Sequence, residues 1–293
     1  LVGSELCIRD SADLEPLGKG WGYTLADGWY NTAGTHRTLG FSLIFSFNMA
    51  FVPDVAKTFD IDGLELDVIE PIDPDNPIFP TVLNGDDPNT IIADIAGQRV
   101  LETELEGVSF PAVPLPTLTG NIGIYKNTDL SFRFIPTVGM GDFGKIGLWG
   151  LGVKHDVLQW LPIVDKIPFL RTSYFLGYSR LSYSKDLAEE TQKLDATLGA
   201  FHTALLVGAD LPVVNPYVSV GLTSSNMTMD LLGDYSVAGQ DPLTDPFSLE
   251  FKNSLSPSVA AGLRVKLALL TIHAQYTLQE YNTFNVGIGI SFR

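Results

Sequence analysis

Long apolar runs, cysteine and charge are all scarce in this sequence. No run of about 18 apolar residues occurs, so we expect no transmembrane helix, which needs about 20. The one cysteine, Cys7, cannot close an internal disulfide. Because it is not the first residue, it does not look like a lipid-modified N-terminus, and we expect a bystander thiol. Charged residues make up 18% of the chain against 45% hydrophobic ones, which excludes a disordered protein.

Basic residues are few as well. Lysine and arginine number 18 against 34 acids, giving a net charge of −16. Residues 53–118 alone hold fourteen acids and two bases, and so account for −12 of that charge. Nucleic acid is excluded as a partner because phosphate binding needs clustered lysine and arginine. The acidity instead predicts one long, solvated loop.

The sequence is rich in short segments of period-two alternation, which is the pattern of β-strands. The first begins at His36, with its apolar face at Leu39, Phe41, Leu43, Phe45, Phe47, Met49 and Phe51. The C-terminus repeats the pattern at residues 258–267, 270–279 and 284–293, and the short links between these runs predict an antiparallel meander. Further strands are predicted at 119–126, 129–138, 143–157, 168–184, 194–210 and 213–223. The expected total is about ten, in an even number from eight to fourteen.

The strand lengths favour lipid over water as the surroundings. They approach the nine to eleven residues that cross a bilayer when tilted, and their second faces carry the glycine, serine and threonine typical of barrel interiors. We therefore predict an all-β fold, a closed antiparallel transmembrane β-barrel of the bacterial outer membrane over residues 36–293, with residues 1–35 as a plug-like segment. A large soluble β-domain is the alternative. An even strand count predicts that both termini are periplasmic and that residues 53–118 and 224–255 are extracellular loops.

The last predicted strand resembles the C-terminal signal by which outer-membrane barrels are recognised for insertion. The signal residues are Phe284, Val286, Ile288, Ile290 and Phe292. The resemblance implies the barrel-assembly machinery as a partner. The signal normally ends on the aromatic residue, whereas here Arg293 follows it.

Two further stretches are similar to an uncharacterised family of outer-membrane barrels of the Bacteroidetes type. They are residues 26–33 (ADGWYNTA), which lead into Leu39-Gly40-Phe41, and residues 152–156 (GVKHD), which are followed by Trp160-Leu161-Pro162. The overall plan is distantly similar to FadL-type barrels of Gram-negative bacteria, porin-like transport proteins in which an N-terminal segment plugs the lumen and hydrophobic compounds are moved. That family has fourteen strands, more than are expected here. A likeness of fold does not establish function.

Charged residues on the lumen faces of the strands are the first functional candidates. A charge inside a narrow barrel must be paired or hydrated, and rings of such charges set selectivity in pores. The alternative is a set of interior ion pairs that keep the barrel rigid. The candidates are Arg133, Lys154, Asp156, Arg264, Lys266 and His273.

The N-terminal segment and one strand supply apolar candidates. Trp21 and Trp29, together with Tyr23 and Tyr30, predict a lumen plug or a cover for a hydrophobic ligand, with ordinary packing as the alternative. The run 198–209 is apolar on both faces, which predicts a partly apolar inner wall facing either a ligand, the plug or another protein.

Metal and catalytic patterns are weak. The four histidines, His36, His155, His202 and His273, share no ligand-like spacing, so we expect no transition metal and no cofactor. Loose calcium-binding turns are suggested by Asp73, Asp75, Asp86 and Asp87, although a solvated acidic loop explains them as well. Through divalent cations this loop would contact lipopolysaccharide or a protein partner. A Ser-His-acid lipid hydrolase stays an alternative, but no serine is singled out.

These features lead to three competing functions. The first is an outer-membrane barrel that binds or passes small hydrophobic or amphipathic molecules, with residues 1–35 gating the lumen. The second is a structural subunit of a larger membrane protein complex, with the acidic loop as its docking surface. The third is a lipid-modifying barrel enzyme, although we expect the protein not to be an enzyme.

Overall fold

The chain folds into a β-barrel with one long helix, as seen in a computed structural model. The structure describes residues 2–64, 66, 69–85, 88–95, 98–105, 107, 112–139, 141, 144–160, 167–187, 192–235, 243–245 and 247–292. Within these ranges, no helix is both long enough and apolar enough to cross a membrane.

The described residues form one α-helix, seventeen strands and three short 3-10 helices, Asp54–Ala56, Asp62–Leu64 and Leu158–Trp160. The helix α1 covers Val2–Ala26, and Pro16 lies inside it. The strands are β1 Phe41–Phe51, β2 Thr58–Asp60, β3 Ile69–Pro71, β4 Ile78–Pro80, β5 Asn89–Ile95, β6 Gln98–Leu105, β7 Ala112–Ile124, β8 Thr128–Gly139, β9 Lys145–Asp156, β10 Leu170–Asp186, β11 Lys193–Ala209, β12 Val214–Leu232, β13 Asp234–Tyr235, β14 Leu243–Thr244, β15 Phe247–Leu267, β16 Leu270–Leu278 and β17 Thr283–Phe292.

Ten of these strands close into one antiparallel barrel, which confirms the predicted fold class and strand number. Their order is β1-β17-β16-β15-β12-β11-β10-β9-β8-β7, and β7 pairs back with β1. The first and last strands pair over ten residues, from Phe41 opposite Phe292 to Ala50 opposite Thr283. Closure leaves no free sheet edge at this junction, which hydrocarbon requires because it cannot hydrogen bond to a backbone.

Alternation places the strand faces as predicted. On β1 the side chains of Phe41, Leu43 and Phe45 point outward and are exposed, while Ser42 and Ser46 are buried inside. Exposed leucine, isoleucine, valine and aromatic side chains continue around β8–β11 and β15–β17. A contiguous apolar outer surface of this kind is not found on soluble monomers, but it is what a transmembrane barrel presents to lipid.

The two predicted loops are shorter than expected, so these boundaries were wrong. β12 continues to Leu232 and β15 starts at Phe247, both inside the predicted loop 224–255, and β7 starts at Ala112, inside the predicted loop 53–118. In the added part of β12 and β15 the amphipathic pattern inverts. Met227 and Phe251 point inward and are buried, whereas Asn226 and Lys252 point outward and are exposed.

The inversion has a physical cause. Where a strand crosses lipid its apolar side chains face outward, and where it rises into water they must face inward against another apolar surface. Here that surface is α1, because a Cβ at Gly18 would lie 3.2 Å from the ring of Phe251 and 3.3 Å from the sulfur of Met227. The wall therefore rises above the lipid on the side of the long loops.

Asp13 in α1 and Phe292 at the end of β17 lie at opposite ends of the barrel, and the prediction that both termini are periplasmic stays a prediction. In the first half of α1, the carbonyl of Asp13 accepts a hydrogen bond from the amide of Val82 in the long loop, whereas β17 ends at Phe292 beside the first residue of β1. The even strand count holds, but the helix runs through the lumen before β1 begins. Which end faces the periplasm stays a prediction.

Candidate functional site in the barrel lumen

The lumen is filled by residues 14–36, hereafter the plug. The plug comprises the second half of α1 and the extended chain that follows it. Near the long loops Leu17 packs against a cluster that contains Val113 and Leu83, and at the opposite end His36 bonds to Asp129 at the start of β8. Part of the segment predicted to plug the lumen therefore lies inside the barrel, as the second half of a 25-residue helix and the linker that follows it.

Apolar contacts hold the helical part. Leu25 and Ala26 belong to a buried cluster with Leu115 of β7 and Leu198 of β11, and Trp21 packs against the edge of this cluster. The predicted apolar inner wall thus faces the plug: Leu198 and Leu206 point inward, whereas Leu205 and Val207 point outward and are exposed, and Phe201 is half-buried.

Tyr23 fixes the helix near the rim. Its ring stacks on that of Tyr281 with 5.5 Å between centres, and its hydroxyl donates to Glu280 at 2.9 Å. Burial raises the pKa of Tyr23 to about 12, so the hydroxyl keeps its proton at neutral pH and remains a donor to the carboxylate.

Aromatic rings fill the middle of the lumen. Trp29 and Tyr30 both contact Phe175 of β10, with ring centres 5.5 and 5.4 Å apart. Two wall glycines make this possible, since a Cβ at Gly177 would lie 2.6 Å from Phe175 and one at Gly150 would lie 2.9 Å from Trp29. The wall is therefore shaped around these rings.

Polar bonds from Tyr30 supplement the ring contacts. Its hydroxyl lies 3.1 Å from His202 Nε2 and 3.1 Å from Ser219 Oγ, and His202 Nδ1 lies 3.0 Å from Thr223 Oγ1. All of these groups are buried. A buried polar group without a partner is costly, so this network ties the position of Tyr30 to the wall.

Arg133 of β8 clamps the end of the helix. Its guanidinium donates to the backbone carbonyls of Leu25, at 2.8 Å, and of Asp27, and it lies over the Trp29 ring at 3.9 Å from the ring centre. It also donates to Thr119 on the wall at 3.2 Å. Since only 1% of Arg133 is exposed, these contacts replace its hydration.

Asp27 bonds to the opposite wall. Its carboxylate accepts hydrogen bonds from Gln275 at 2.7 Å, from Thr277 at 3.2 Å and from Thr283. The next residue, Gly28, has φ of +69°, a left-handed conformation that ends the helix and favours glycine. Two facing walls therefore hold one turn of the plug.

An ion pair closes the other end of the lumen. Asp129 is fully buried, and its carboxylate accepts from the His36 amide at 2.8 Å and lies 3.0 Å from His36 Nδ1. Lys154 Nζ lies 3.4 Å from Asp129 and 3.4 Å from the carbonyl of Thr32. This group joins the linker, β8 and β9.

The remaining predicted lumen residues lie on the inner faces but bond mainly to the wall. Arg264 donates to Asn215 at 2.9 and 3.1 Å, and His273 bonds to Asn285 at 2.8 Å. Asp156 accepts from the amide of Leu158 at 2.8 Å, and Lys266 is half-buried near the rim. Neither a ring of charges that sets selectivity nor a set of ion pairs within the wall describes all six predicted residues. Some of them bond to the plug and others to the wall.

Sequence reasoning missed several residues of this site. Asp129 lies on a predicted strand in the same phase as Arg133, so the period-two rule alone would have placed it inside. His202 follows the same rule on β11. Asp27 carries no such signal, because the plug has no periodicity that relates it to the wall.

Little space is left around the plug. A pocket lined by Tyr23, Asp27, Tyr30 and His202 is too small to hold a water molecule. Two larger spaces are open grooves of about 430 and 470 Å³ on the outer, lipid-facing surface, beside Phe132 and Phe45. As described, the lumen is closed.

Other predicted sites are placed as follows. The signal residues Phe284, Val286, Ile288, Ile290 and Phe292 share one face of β17, with Ile288, Ile290 and Phe292 exposed, but their role in insertion stays a prediction. Asp73 is exposed and accepts from the amide of Asp75, while Asp86 and Asp87 lie outside the described residues. Among the described residues, no three His, Cys, Asp or Glu side chains are grouped to hold a metal ion.

Several solved structures are similar to this chain at low scores. The translocator domain of autotransporter NalP from Neisseria meningitidis is 12% identical, with 97% of this chain and 96% of that chain covered and a TM-score of 0.31. The β domain of the Bordetella autotransporter BrkA is 13% identical, with 87% and 100% covered and a TM-score of 0.26. The Ralstonia pickettii toluene transporter TbuX is 6% identical, with 89% and 91% covered and a TM-score of 0.18. At such scores the likeness carries no functional argument, and the barrel is established by its own strand pairing.

Sequence comparison gives one family and no curated relative. The model of a family described as "Family of unknown function (DUF6588)" matches residues 12–292. No curated protein matches the chain.

Proposed function

The chain belongs to the family of unknown function DUF6588, and we propose that it is an outer-membrane barrel that passes small amphipathic molecules when its own plug shifts. The observation that carries this proposal is the clamp on the plug backbone. Arg133 is the most buried cation of the described wall. It donates hydrogen bonds to the backbone carbonyls of Leu25 and Asp27 rather than to a wall carboxylate.

Such an interface suits a plug that can move. Hydrogen bonds between protein groups contribute only about 1 kcal/mol each when water can replace them. Entry of water into the lumen would therefore release the polar contacts of Arg133 and Asp27 at modest cost. Movement of the plug would also uncover Leu198, which packs near the helix, and Leu206, which packs near the linker, and the two give the opened lumen an apolar strip beside its charges. A strip of this kind next to charged groups suits amphipathic molecules.

A reversible lock on the plug tests the proposal. A Cβ at Gly20 of α1 would lie 3.1 Å from that of Val113 on β7, close to the spacing of about 3.8 Å in disulfides, and the three atoms nearest to it all belong to Val113. The variant Gly20→Cys, Val113→Cys in a Cys7→Ser background should form this bond on oxidation. Planar-bilayer conductance, and uptake of a sulfonated anilinonaphthalene dye by vesicles, should fall on oxidation and recover on reduction.

The controls separate gating from a permanent seal. Val113→Cys alone should not respond to oxidation, and deletion of residues 2–30 should give a continuously open barrel. Conductance and dye uptake that are equal in the oxidised and reduced states, together with a closed deletion variant, would show that the plug is not a gate.

A second function is favoured by the tall wall. β12 and β15 have 19 and 21 residues, about twice what crossing a bilayer requires, and with α1 they support the acidic loop region. We propose in this case a structural subunit whose loops dock a protein partner, or lipopolysaccharide through divalent cations. Native mass spectrometry after gentle extraction from the membrane should then retain a whole partner protein, whereas a transport barrel would retain at most a small ligand.

Enzyme activity stays the least supported function. His155 lies within 3.2 Å of Thr128, Gln159 and Trp160, and His273 bonds to Asn285. Alanine at His155, His202 and His273 in turn should leave any lipid-hydrolysing activity of the preparation unchanged. Loss of turnover in one of the three variants would contradict this.

A further inference from the structure

One junction of the barrel wall is only half paired. β7 and β8 pair from Thr119 opposite Arg133 to Ile124 opposite Thr128. β7 nevertheless begins at Ala112 and β8 ends at Gly139. Among the residues that the structure describes, 112–118 pair only with β1, and residues 134, 135, 138 and 139 pair only with β9. These two facing edges are hereafter the seam.

Prolines line the seam. The amide of Gly123 donates to Gly40 beside β1, so odd-numbered residues of β7 direct their amides to β1 and even-numbered ones to β8. Pro114 and Pro116 are even-numbered, and a proline has no N–H to offer. Across the seam, Pro136 lies in the irregularity of β8 between Ile135 and Val138. The seam therefore has no N–H to offer at positions 114 and 116 of β7 or at position 136 of β8.

The seam lies at the depth of the lipid. Residues 112–118 pair with residues 45–51 of β1, where Phe45, Phe47 and Phe51 are exposed on the outer surface. Each unpaired backbone group in hydrocarbon costs several kcal/mol, so barrels normally pair every strand along its full length. The loss of amide hydrogens at the prolines lowers this cost but does not cover the gap.

Both faces of the seam carry apolar side chains. On the outside, 63% of Phe134 and 38% of Leu118 are exposed. On the inside, Leu115 is buried and Ile135 half-buried against the cluster that includes Leu25 of the plug. The missing N–H groups of the three prolines disfavour an added polypeptide strand, whereas the apolar side chains suit a hydrocarbon chain.

We propose that the seam binds one acyl chain of a bilayer lipid, taken from the leaflet on the side of the long loops. The chain lies between the edges of β7 and β8, touches Leu118 and Phe134 outside, and reaches Leu115 inside. It completes the wall where backbone pairing stops. This proposal does not depend on whether the plug moves.

Photocrosslinking tests the site directly. A diazirine amino acid replaces Leu115 in one variant and Leu198 in the other. Both residues are inward-facing leucines with 4% and 1% exposure, but Leu198 lies on β11, which is paired on both sides at this position. The proteins are irradiated in vesicles of their native lipids, and adducts are identified by mass spectrometry. We expect a lipid adduct at position 115 that is at least tenfold more abundant than at position 198.

Restoring the amides should close the seam. Pro114→Val, Pro116→Val supplies two donors to the edge of β7, and the adduct at position 115 should fall towards the level at position 198. The matched control is Pro216→Val on β12, which is paired opposite Leu263 and lies away from the seam. Heat-modifiable migration on gels checks that each variant is folded.

Three outcomes would overturn the proposal. They are equal lipid adducts at positions 115 and 198, no lipid adduct at position 115, and a protein adduct there instead. An adduct that is unchanged by the valine pair would overturn the role of the prolines. Because none of these readouts uses conductance, the gate and the lipid site can fail separately.

Discussion

Arg133 connects the wall to the plug through a few atoms. Its guanidinium binds the backbone carbonyls of Leu25 and Asp27 and covers the face of Trp29, a geometry that the planar fork of arginine allows and a lysine ammonium does not. Loss of this side chain leaves the carbonyls of Leu25 and Asp27 without a partner in a closed lumen. The effect of a substitution here should therefore appear both in stability and in leakage.

We predict that Arg133→Met lowers the free energy of unfolding by about 1–3 kcal/mol, the usual cost of leaving buried groups unsatisfied. Arg133→Lys should lower the free energy of unfolding by less, because lysine keeps the charge but lacks the planar guanidinium that reaches both carbonyls. Urea unfolding in lipid vesicles and planar-bilayer conductance give the two readouts. Arg37→Met, at an exposed position on the rim, is the control and should change neither. Unchanged conductance in Arg133→Met would contradict its role as a clamp.

Single residues also show how far the sequence reached. Arg133, Lys154, Arg264 and His273 were predicted to face the lumen because alternation fixes the side of a strand from which a side chain projects. Alternation cannot name the partner. That Arg133 bonds to the plug and Arg264 to Asn215 depends on which part of the plug lies at each depth. Two more predicted residues, Trp21 and Trp29, lie in the plug itself.

The end of α1 is set by one glycine. Gly28 has φ of +69°, and a Cβ there would lie 2.3 Å from Asn48 Oδ1 and 2.8 Å from Asn285 Nδ2. An alanine would adopt this conformation at a cost of about 1–2 kcal/mol and would also displace the two wall asparagines. The turn that carries the chain from the helix to the linker is thus matched to the wall.

Gly28→Ala should dislodge the plug without opening the ring of strands. Limited proteolysis should then cut between residues 14 and 36 at least tenfold faster than in the unmodified protein. Gly34→Ala is the matched control, since its Cβ would meet no atom closer than 3.7 Å and its φ is ordinary. Equal cleavage rates in the two variants would contradict this account.

The raised wall should stabilise α1 independently of the lipid-embedded part. Phe251 on β15 is buried with Met227 against the helix. Phe251→Ala should cost about 3–5 kcal/mol locally, as removal of a buried ring usually does. Hydrogen exchange of the α1 amides should accelerate, while exchange of the β1 and β17 amides stays slow.

Phe45→Ala is the comparison for that experiment. Phe45 points to lipid, with 52% of its surface exposed, so its truncation removes no contact to the helix. Its α1 amides should exchange as in the unmodified protein. Accelerated exchange throughout the barrel in Phe251→Ala would show that wall and barrel unfold as one unit.

The whole molecule is a closed ring of strands around a plug that takes no part in the strand pairing. Every link of the ring is an inter-strand ladder, including the one between β1 and β17, and none of them uses a residue of α1. Deletion of residues 2–30 should therefore leave a ten-stranded barrel that still shows heat-modifiable migration. Its melting temperature should fall, because Leu198 and Leu206 lose their apolar partners. A deletion variant that never forms the heat-modifiable band would show that the plug is needed for folding.

The sequence by itself determined the barrel. Period-two alternation fixed which side chains face lipid and which face the lumen, since successive residues of a strand must point to opposite sides. The scarcity of charge on the apolar faces indicated that they face lipid. Because lipid cannot hydrogen bond to a free strand edge, the sheet had to close into a barrel. These are local rules, so they could be applied to residues 36–51 or 258–293 without knowledge of the rest.

Only the tertiary structure decided what the lumen contains and where the lipid ends. The path of α1 through the barrel, the clamp of Arg133 and Asp27, and the half-paired seam all depend on contacts between residues distant in the sequence. The extension of β12 and β15 above the lipid also depends on such contacts. Their pattern inverts because α1 is present to cover Met227 and Phe251, and strand periodicity contains no information about a helix packed against it.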